Sequence, residues 1–180
     1  MKLNVKPLHD FVEATRNPKH HNIPALQASL RRFGFIAPVI EDGNTGRLVA
    51  GHGRLAALVK MKDGGESPPA RVEVRKSDGA WLVPVLAGVT FDSAASAEAY
   101  LLADNHLVES GGWDTKGLAA ILAADGFNTY LPTTGWSDEE ALKIIASAMD
   151  RVAPVAFTSV DEGAKETIHC PRCGFPVPVP

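Results

Sequence analysis

Cysteine is almost absent from this chain: two residues in 180, three positions apart and near the C-terminal end. Two cysteines so close make no disulfide framework and suit a reducing cytoplasm. Long hydrophobic runs are also missing. Nothing approaches the ~20 apolar residues needed to span a bilayer, so no membrane role is expected. The start, Met1-Lys-Leu-Asn-Val-Lys6, carries no long apolar stretch of the signal-peptide kind. The expected compartment is therefore the cytoplasm. A strong excess of one charge is absent too. The formal net charge is −3 and the isoelectric point is about 6.1, lower than a simple basic duplex-DNA binder would show. There is no second basic domain, no convincing helix-turn-helix pattern and no internal repeat.

What is present suits one domain plus an appendage. The chain has 180 residues, 45% of them hydrophobic, enough for a real core. The charge is unevenly spread. Residues 1–75 hold 12 Lys/Arg against 7 Asp/Glu, and residues 76–180 hold 6 against 14. Five of the six histidines precede residue 110. A basic first half is compatible with a nucleotide or nucleic-acid partner, and equally with chance clustering of surface charge.

Periodicity predicts mixed α and β structure. Lys2–Val5 and Leu8–Val12 read as short strands around Pro7. Ile23, Leu26, Leu30 and Phe33 recur at helical spacing, with Gly34 at the usual capping position. Phe35–Ile40 reads as a strand. Pro38–Ile40 and Leu48–Ala50 flank Asp42-Gly-Asn-Thr-Gly46, which reads as a hairpin turn. Leu55, Leu58, Val59 and Met61 line a further helix. Arg71–Arg75 and Trp81–Val89 read as strands, the latter apolar throughout as in a buried strand. Helices are expected at Ser93–His106, Thr115–Ala124 and Ser137–Met149. Asp92 or Ser93 caps the first of these, Asp114 or Thr115 the second, and Ser137 with Glu140 makes a capping box for the third. Arg151–Lys165 reads as a linker.

The segment Gly51-His-Gly-Arg-Leu-Ala-Ala-Leu-Val59 carries the most information. It follows the strand Arg47–Ala50 and opens a helix. Glycine lets backbone approach a ligand and tolerates positive φ. A helix start offers unpaired N–H groups and a partial positive charge. His52 and Arg54 add donors, and Arg54 can fork two bonds to an oxyanion. Such a turn suits phosphate. The same glycines also suit an ordinary tight turn.

Four further boxes stand around it: Arg16-Asn-Pro18, Gly34-Phe-Ile-Ala-Pro-Val39, Ala103-Asp-Asn105 and Gly112-Trp-Asp114. In this order the five boxes resemble the ParB/sulfiredoxin superfamily. The nearest branch comprises the ParB-like domains, some labelled nucleases, of phages, mobile elements and DNA-methyltransferase neighbourhoods. The resemblance covers residues 1–136. It implies an α+β fold, a small mixed sheet with helices, followed by a helix and linker at 137–166 and a CxxC tail at 167–180.

The resemblance also implies a site. Gly51, His52, Gly53 and Arg54 would cradle the phosphates of CTP or ATP. Asp104, with Asn105, would help hold Mg²⁺ or a water; the other reading has this pair capping the end of its helix. Arg16 would touch phosphate or base, and Asn17 would join it or simply fix the turn before Pro18. Glu13 stands where a general base would serve a phosphotransferase, with His52, Asp104 and His106 as further candidates for chemistry. Chromosome-partition ParB proteins, however, carry Gly-Glu-Arg-Arg at the glycine turn and Glu-Asn-x-x-Arg at the second box. Gly53 and Val108 stand at two of those arginine positions, which puts CTPase-driven clamp closure in doubt. Sulfiredoxins carry a reactive cysteine where this chain has His52, so sulfinic acid reduction is not expected. Three functions follow: a nucleotide-binding module acting with DNA or a DNA-processing partner, a phosphoryl-transfer enzyme or nuclease, and an adaptor that keeps the fold without the ligand.

The tail, His169-Cys-Pro-Arg-Cys-Gly174, resembles one knuckle of a zinc ribbon. Closed zinc sites need four ligands. Cys170, Cys173 and His169 are local, so a fourth would come from another histidine or from a second chain in a homodimer. A metal-free remnant is the other reading.

Overall fold

In the computed structural model, which describes residues 1–149, 167–169, 172–174 and 176–178, the sheet is organised around its longest strand, β5 (Trp81–Val89). Strand β1 (Lys2–Pro7) pairs antiparallel with it along its whole length, from Lys2 opposite Ala87 to Pro7 opposite Leu82. Strand β2 (Val39–Asp42) pairs with β5 in parallel, Val39 opposite Val85. β2 turns back through a hairpin into β3 (Leu48–Ala50), and the two-residue β4 (Glu73–Val74) pairs with the start of β5. Both parallel and antiparallel ladders are present, so the sheet is mixed.

Trp81, Val83 and Val85 alternate onto the core face of β5, while Leu82, Pro84 and Leu86 are only half-buried. The apolar run therefore buries one face rather than two. Helices α1 (Ile23–Phe33) and α2 (His52–Asp63) pack together, and their core cluster includes Phe35, Val39, Leu48, Leu58, Met61 and Val83. Asn22 starts α1, its side-chain oxygen accepting from Ala25 N–H at 3.1 Å. Gly34 ends it, its N–H donating to Leu30 O at 2.9 Å. Phe33 and Val59, expected to face inward, are each 41% exposed.

Other boundaries shift. Leu8–Val12 is not a strand. Leu8–Asp10 forms a 3₁₀ turn that buries Leu8, and Val12 makes one isolated bridge to Arg47. Phe35–Ala37 lies outside the sheet, and the expected strand at Arg71–Arg75 shrinks to β4. Helix α3 (Ala94–Ser110) starts at the Ser93 cap and runs four residues past His106. Asp104 and Asn105 therefore lie within α3 and do not cap its end. Helices α4 (Thr115–Leu122) and α5 (Asp138–Met149) enclose a second small core of Leu122, Leu131 and Ala141. Asp114 caps α4, while Ser137 and Glu140 exchange hydrogen bonds as a capping box at α5.

Met1–Ala148 and Met149–Pro180 are separate compact units. In the second, β6 (Thr167–His169) pairs antiparallel with β7 (Pro176–Pro178). Cys173 is an exposed free cysteine in the intervening turn. Cys170 and the expected linker lie outside the described residues. Among the described residues no helix is long and apolar enough to cross a membrane.

The β2–β3 hairpin turns on a buried carboxylate. Asp42 is 2% exposed and accepts from the Thr45 hydroxyl at 2.6 Å and from the Asn44 and Thr45 N–H groups at 3.2 Å. Burial alone would raise its pKa, but these hydrogen bonds outweigh burial and hold it below the usual aspartate value. The charged form thus stabilises the fold above the ordinary aspartate range, and that contribution is lost as pH falls through the lowered folded value. Asp42→Ala is expected to cost about 2 kcal/mol at neutral pH by stranding three donors. Melting curves recorded from neutral to acid pH should show a shallower acid limb for Asp42→Asn than for the natural chain.

Candidate functional site: the first turn of α2

Strand β3 ends at Ala50, and the next residue reverses the chain into α2. Gly51 does so with φ +95°, in the left-handed region that favours glycine. A Cβ on Gly51 would stand 2.6 Å from Val39 Cγ1 and 3.0 Å from Arg54 Nη2. The first main-chain bond of the helix runs from Leu55 N–H to Gly51 O at 3.1 Å, and no side chain caps the N–H groups ahead of it. An uncapped start of this kind leaves donors free for an anion.

Arg54 folds inward. Its Nη2 donates to Pro38 O at 3.1 Å, while its Nε is buried without a hydrogen-bond partner. Burial lowers its pKa, and the Asp104 carboxylate on α3 opposes that shift. Asp104 itself is exposed, one turn along α3 from Tyr100. Burial and then Asp104 raise the Tyr100 pKa. Asn105 spends its side-chain N–H on Leu101 O, one turn back in its own helix, at 2.8 Å.

The bridge from Val12 to Arg47 lays residues 13–14 beside the α2 turn. His52 Nε2 accepts from Ala14 N–H at 3.3 Å. Burial lowers the His52 pKa, the Glu13 carboxylate raises it, and the nearby His21 imidazole lowers it. The Glu13 and Asp104 carboxylates therefore act on His52 and Arg54 through their charge, with no ion pair joining either couple. The Arg16 guanidinium is exposed and pairs with Glu98 of α3, Nε to Oε1 at 2.8 Å. Asn17 closes an Asx turn by accepting from Lys19 N–H at 3.2 Å. Lys19 pairs in turn with Glu109. Residues 16–19 are thus tied to α3 at both ends. Between the ties run a cleft of about 500 Å³ lined by Arg16, Asn17, Pro18, Glu98, Leu101 and Leu102, and a smaller one of about 190 Å³ reaching Asn105 and His106.

Three participants escaped the sequence. Glu98 and Tyr100 sit on the expected helix but carry no motif. His21 packs against Gly53: a Cβ there would stand 2.8 Å from His21 Cγ and Nδ1. The doublet His20-His21 ahead of the Asn22 cap was its only trace in the sequence.

Among the described residues no three His, Cys, Asp or Glu side chains gather as a metal site. A lone carboxylate such as Asp104 suits Mg²⁺ only where phosphate oxygens and water complete the shell.

No protein-family model matches the sequence, and no curated protein matches it. Among solved structures the chain is similar to the C-terminally truncated chromosome-partitioning protein ParB from Caulobacter crescentus, crystallised in complex with CTP-gamma-S. The TM-score is 0.54 at 15% sequence identity, covering 81% of this chain and 77% of that one. A likeness at this identity is one of fold, and the chain has a ParB-like α+β fold.

Proposed function

We propose that the protein is a nucleotide-binding module, taking CTP or ATP with Mg²⁺, that acts in DNA-related processes of a phage or mobile element. The observation that carries this reading is the α2 start: an uncapped helix N-terminus, a glycine that brings backbone close, and an inward-folded Arg54 with an unpartnered Nε. The ParB neighbour was crystallised with CTP-gamma-S, which supports a nucleotide as the ligand class here too. The N–H groups of His52, Gly53 and Arg54, with the Arg54 guanidinium, would hold the phosphates. Asp104, with Asn105 beside it, would face the Mg²⁺ that neutralises them. The cleft beside Arg16 and Asn17 falls in the usual size range of small-molecule sites and would take the nucleoside.

The test is thermal unfolding with Mg²⁺ and CTP, ATP, GTP, UTP or ADP. At a concentration about 100 times the dissociation constant, binding adds roughly 2.7 kcal/mol. Arg54→Ala should abolish the shift and Arg54→Lys should keep part of it, because lysine retains charge without the fork. Melts without nucleotide separate this loss from the stability lost with the Pro38 contact. An Arg54→Ala shift equal to that of the natural chain would sink the phosphate assignment.

A phosphoryl-transfer enzyme is the second reading, favoured by the Glu13 carboxylate acting on the half-buried His52. Glu13 would serve as general base, with His52 as the proton-carrying partner. Phosphate release under the same conditions distinguishes it from simple binding. A nuclease on the same fold would need more acidic ligands than Asp104. For the tail we propose a zinc knuckle of Cys170, Cys173 and His169, completed from elsewhere, that joins DNA, a partner protein or a second copy. Metal content by mass spectrometry checks it. The domain division proposed with this reading is 1–136, 137–166 and 167–180.

A further inference from the structure

Two hollows of the fold meet at one carboxylate. Glu98 and Leu101 of α3 line the cleft of about 500 Å³ beside Arg16. They also line a cavity of about 110 Å³ that reaches Thr45 and Val49 of the β2–β3 hairpin. The Glu98 side chain is 29% exposed and is held by the Arg16 fork, Nε to Oε1 at 2.8 Å and Nη2 to Oε2. The Arg16 hydrogen bond keeps the Glu98 pKa below its ordinary value, so at neutral pH the group is ionised and only accepts. A carboxylate offers about four lone-pair positions. Arg16 takes one on each oxygen, which leaves one on each oxygen for a ligand. Two adjacent acceptors match two adjacent hydroxyls. Their negative charge turns phosphate away, and a single amine on a base cannot fill both as well.

The walls fit the same ligand group. Glu98, Leu101, Leu102 and Asn105 stand three or four residues apart on one face of α3. Leu102 is 53% exposed there and offers an apolar surface to the carbon face of a sugar. Glu98 lies about 10 Å along the helix from Asn105. A phosphate chain is of comparable length, so phosphates and metal at the Asn105 end leave the sugar at Glu98.

We propose that Glu98 is a specificity-determining residue for the sugar, its carboxylate accepting from the adjacent 2′ and 3′ hydroxyls of a ribonucleotide. This rests on the reading of the protein as a nucleotide-binding module and extends it from the phosphates to the sugar. A 2′-deoxynucleotide leaves one of the two acceptors without its donor, beside leucine walls. A missing bond to a charged group lowers affinity by roughly tenfold or more.

The experiment is titration calorimetry of the full chain with Mg²⁺ and CTP, dCTP, ATP, dATP or UTP. The natural chain is expected to bind CTP and ATP about tenfold more tightly than dCTP and dATP. In Glu98→Ala that ratio should fall towards one, and Glu98→Gln, which keeps the shape and one acceptor oxygen, should lie between. The ratio is the readout because releasing Arg16 alters the pull on phosphate equally for both sugars. Melts without ligand check that the variants are folded, which the loss of an exposed ion pair should leave little changed. A ratio of one in the natural chain overturns the inference and leaves the nucleotide reading standing. A ratio that survives in both variants does the same. If the variants lose a preference between CTP and UTP while the sugar ratio holds, Glu98 reads the base amine and the inference is overturned. If the natural chain binds none of the five, the nucleotide reading falls and takes this inference with it.

Discussion

Gly51→Ala is expected to lower stability by about 3 kcal/mol and to remove the nucleotide-dependent thermal shift. Two costs add. A left-handed backbone costs a residue with a Cβ about 1–2 kcal/mol. The new methyl would also fall 2.6 Å from Val39 Cγ1, and Val39 is fully buried in β2 with no room to retreat. Relief requires the β3–α2 turn to open, which moves the N–H groups of α2 and the Arg54 guanidinium together. Thermal unfolding should show a fall of roughly 10 °C for a chain of this size. Gly53→Ala makes the contrast. Its φ is not in the left-handed region, so the backbone cost is absent and only contacts with the His21 ring and Leu26 Cδ1 remain. Equal losses from the two substitutions would mean that the Gly51 conformation is not what holds the turn.

Phe35→Ala is expected to cost more, about 4 kcal/mol, while leaving the site chemistry in place. Phe35 is 1% exposed and among the largest fully buried side chains. Its backbone N–H is tied to Ala70 O at 2.9 Å, so the chain is held open around the vacated volume and collapses only partly. The melting temperature should drop by more than for Gly51→Ala. At a temperature where the variant remains folded, the nucleotide-dependent shift should persist. A full loss of that shift in folded Phe35→Ala would mean that the core behind β2 sets the geometry of the phosphate turn. Together the two variants separate stability from binding, because one damages both and the other only the first.

Elements whose reasons are local were legible in the sequence. Helix α1 declares itself through the spacing of Ile23, Leu26 and Leu30 and through Gly34 at its end. The α5 capping box is legible in the same way, since Ser137 and Glu140 are three residues apart. The long apolar strand β5 also reads directly. What failed was governed by distant partners. Leu8–Val12 has strand-like composition, yet only Val12 finds a pairing partner, so Leu8 is buried by a 3₁₀ turn instead. Asp104-Asn105-His106 resembles a helix terminus, so the sequence predicts too short an α3. In the structure Asn105 bonds back to Leu101 and the helix continues to Ser110. Of the candidate site, the glycine turn was legible because backbone chemistry has a sequence signature. The Arg16–Glu98 and Lys19–Glu109 pairs span 82 and 90 residues, and the packing of His21 on Gly53 depends on a tertiary contact. Nothing local encodes these.

The placement of β5 also orders events in time. β1 at residues 2–7 and β2 at 39–42 have no bond to each other. Each finds its main-chain partner in residues 81–89. A nascent chain shorter than about 80 residues therefore leaves β1 with nothing to pair against and β2 paired only with β3. Only the β2–β3 hairpin and its neighbouring helices can form early, from contacts close in sequence. Pairing across such separations is slow because loop-closure entropy must be met before the contacts reward it. Val39, which lies under the Gly51 turn, is seated only when β5 docks. Phosphate-binding competence should accordingly be among the last properties acquired in refolding, trailing the recovery of helical signal.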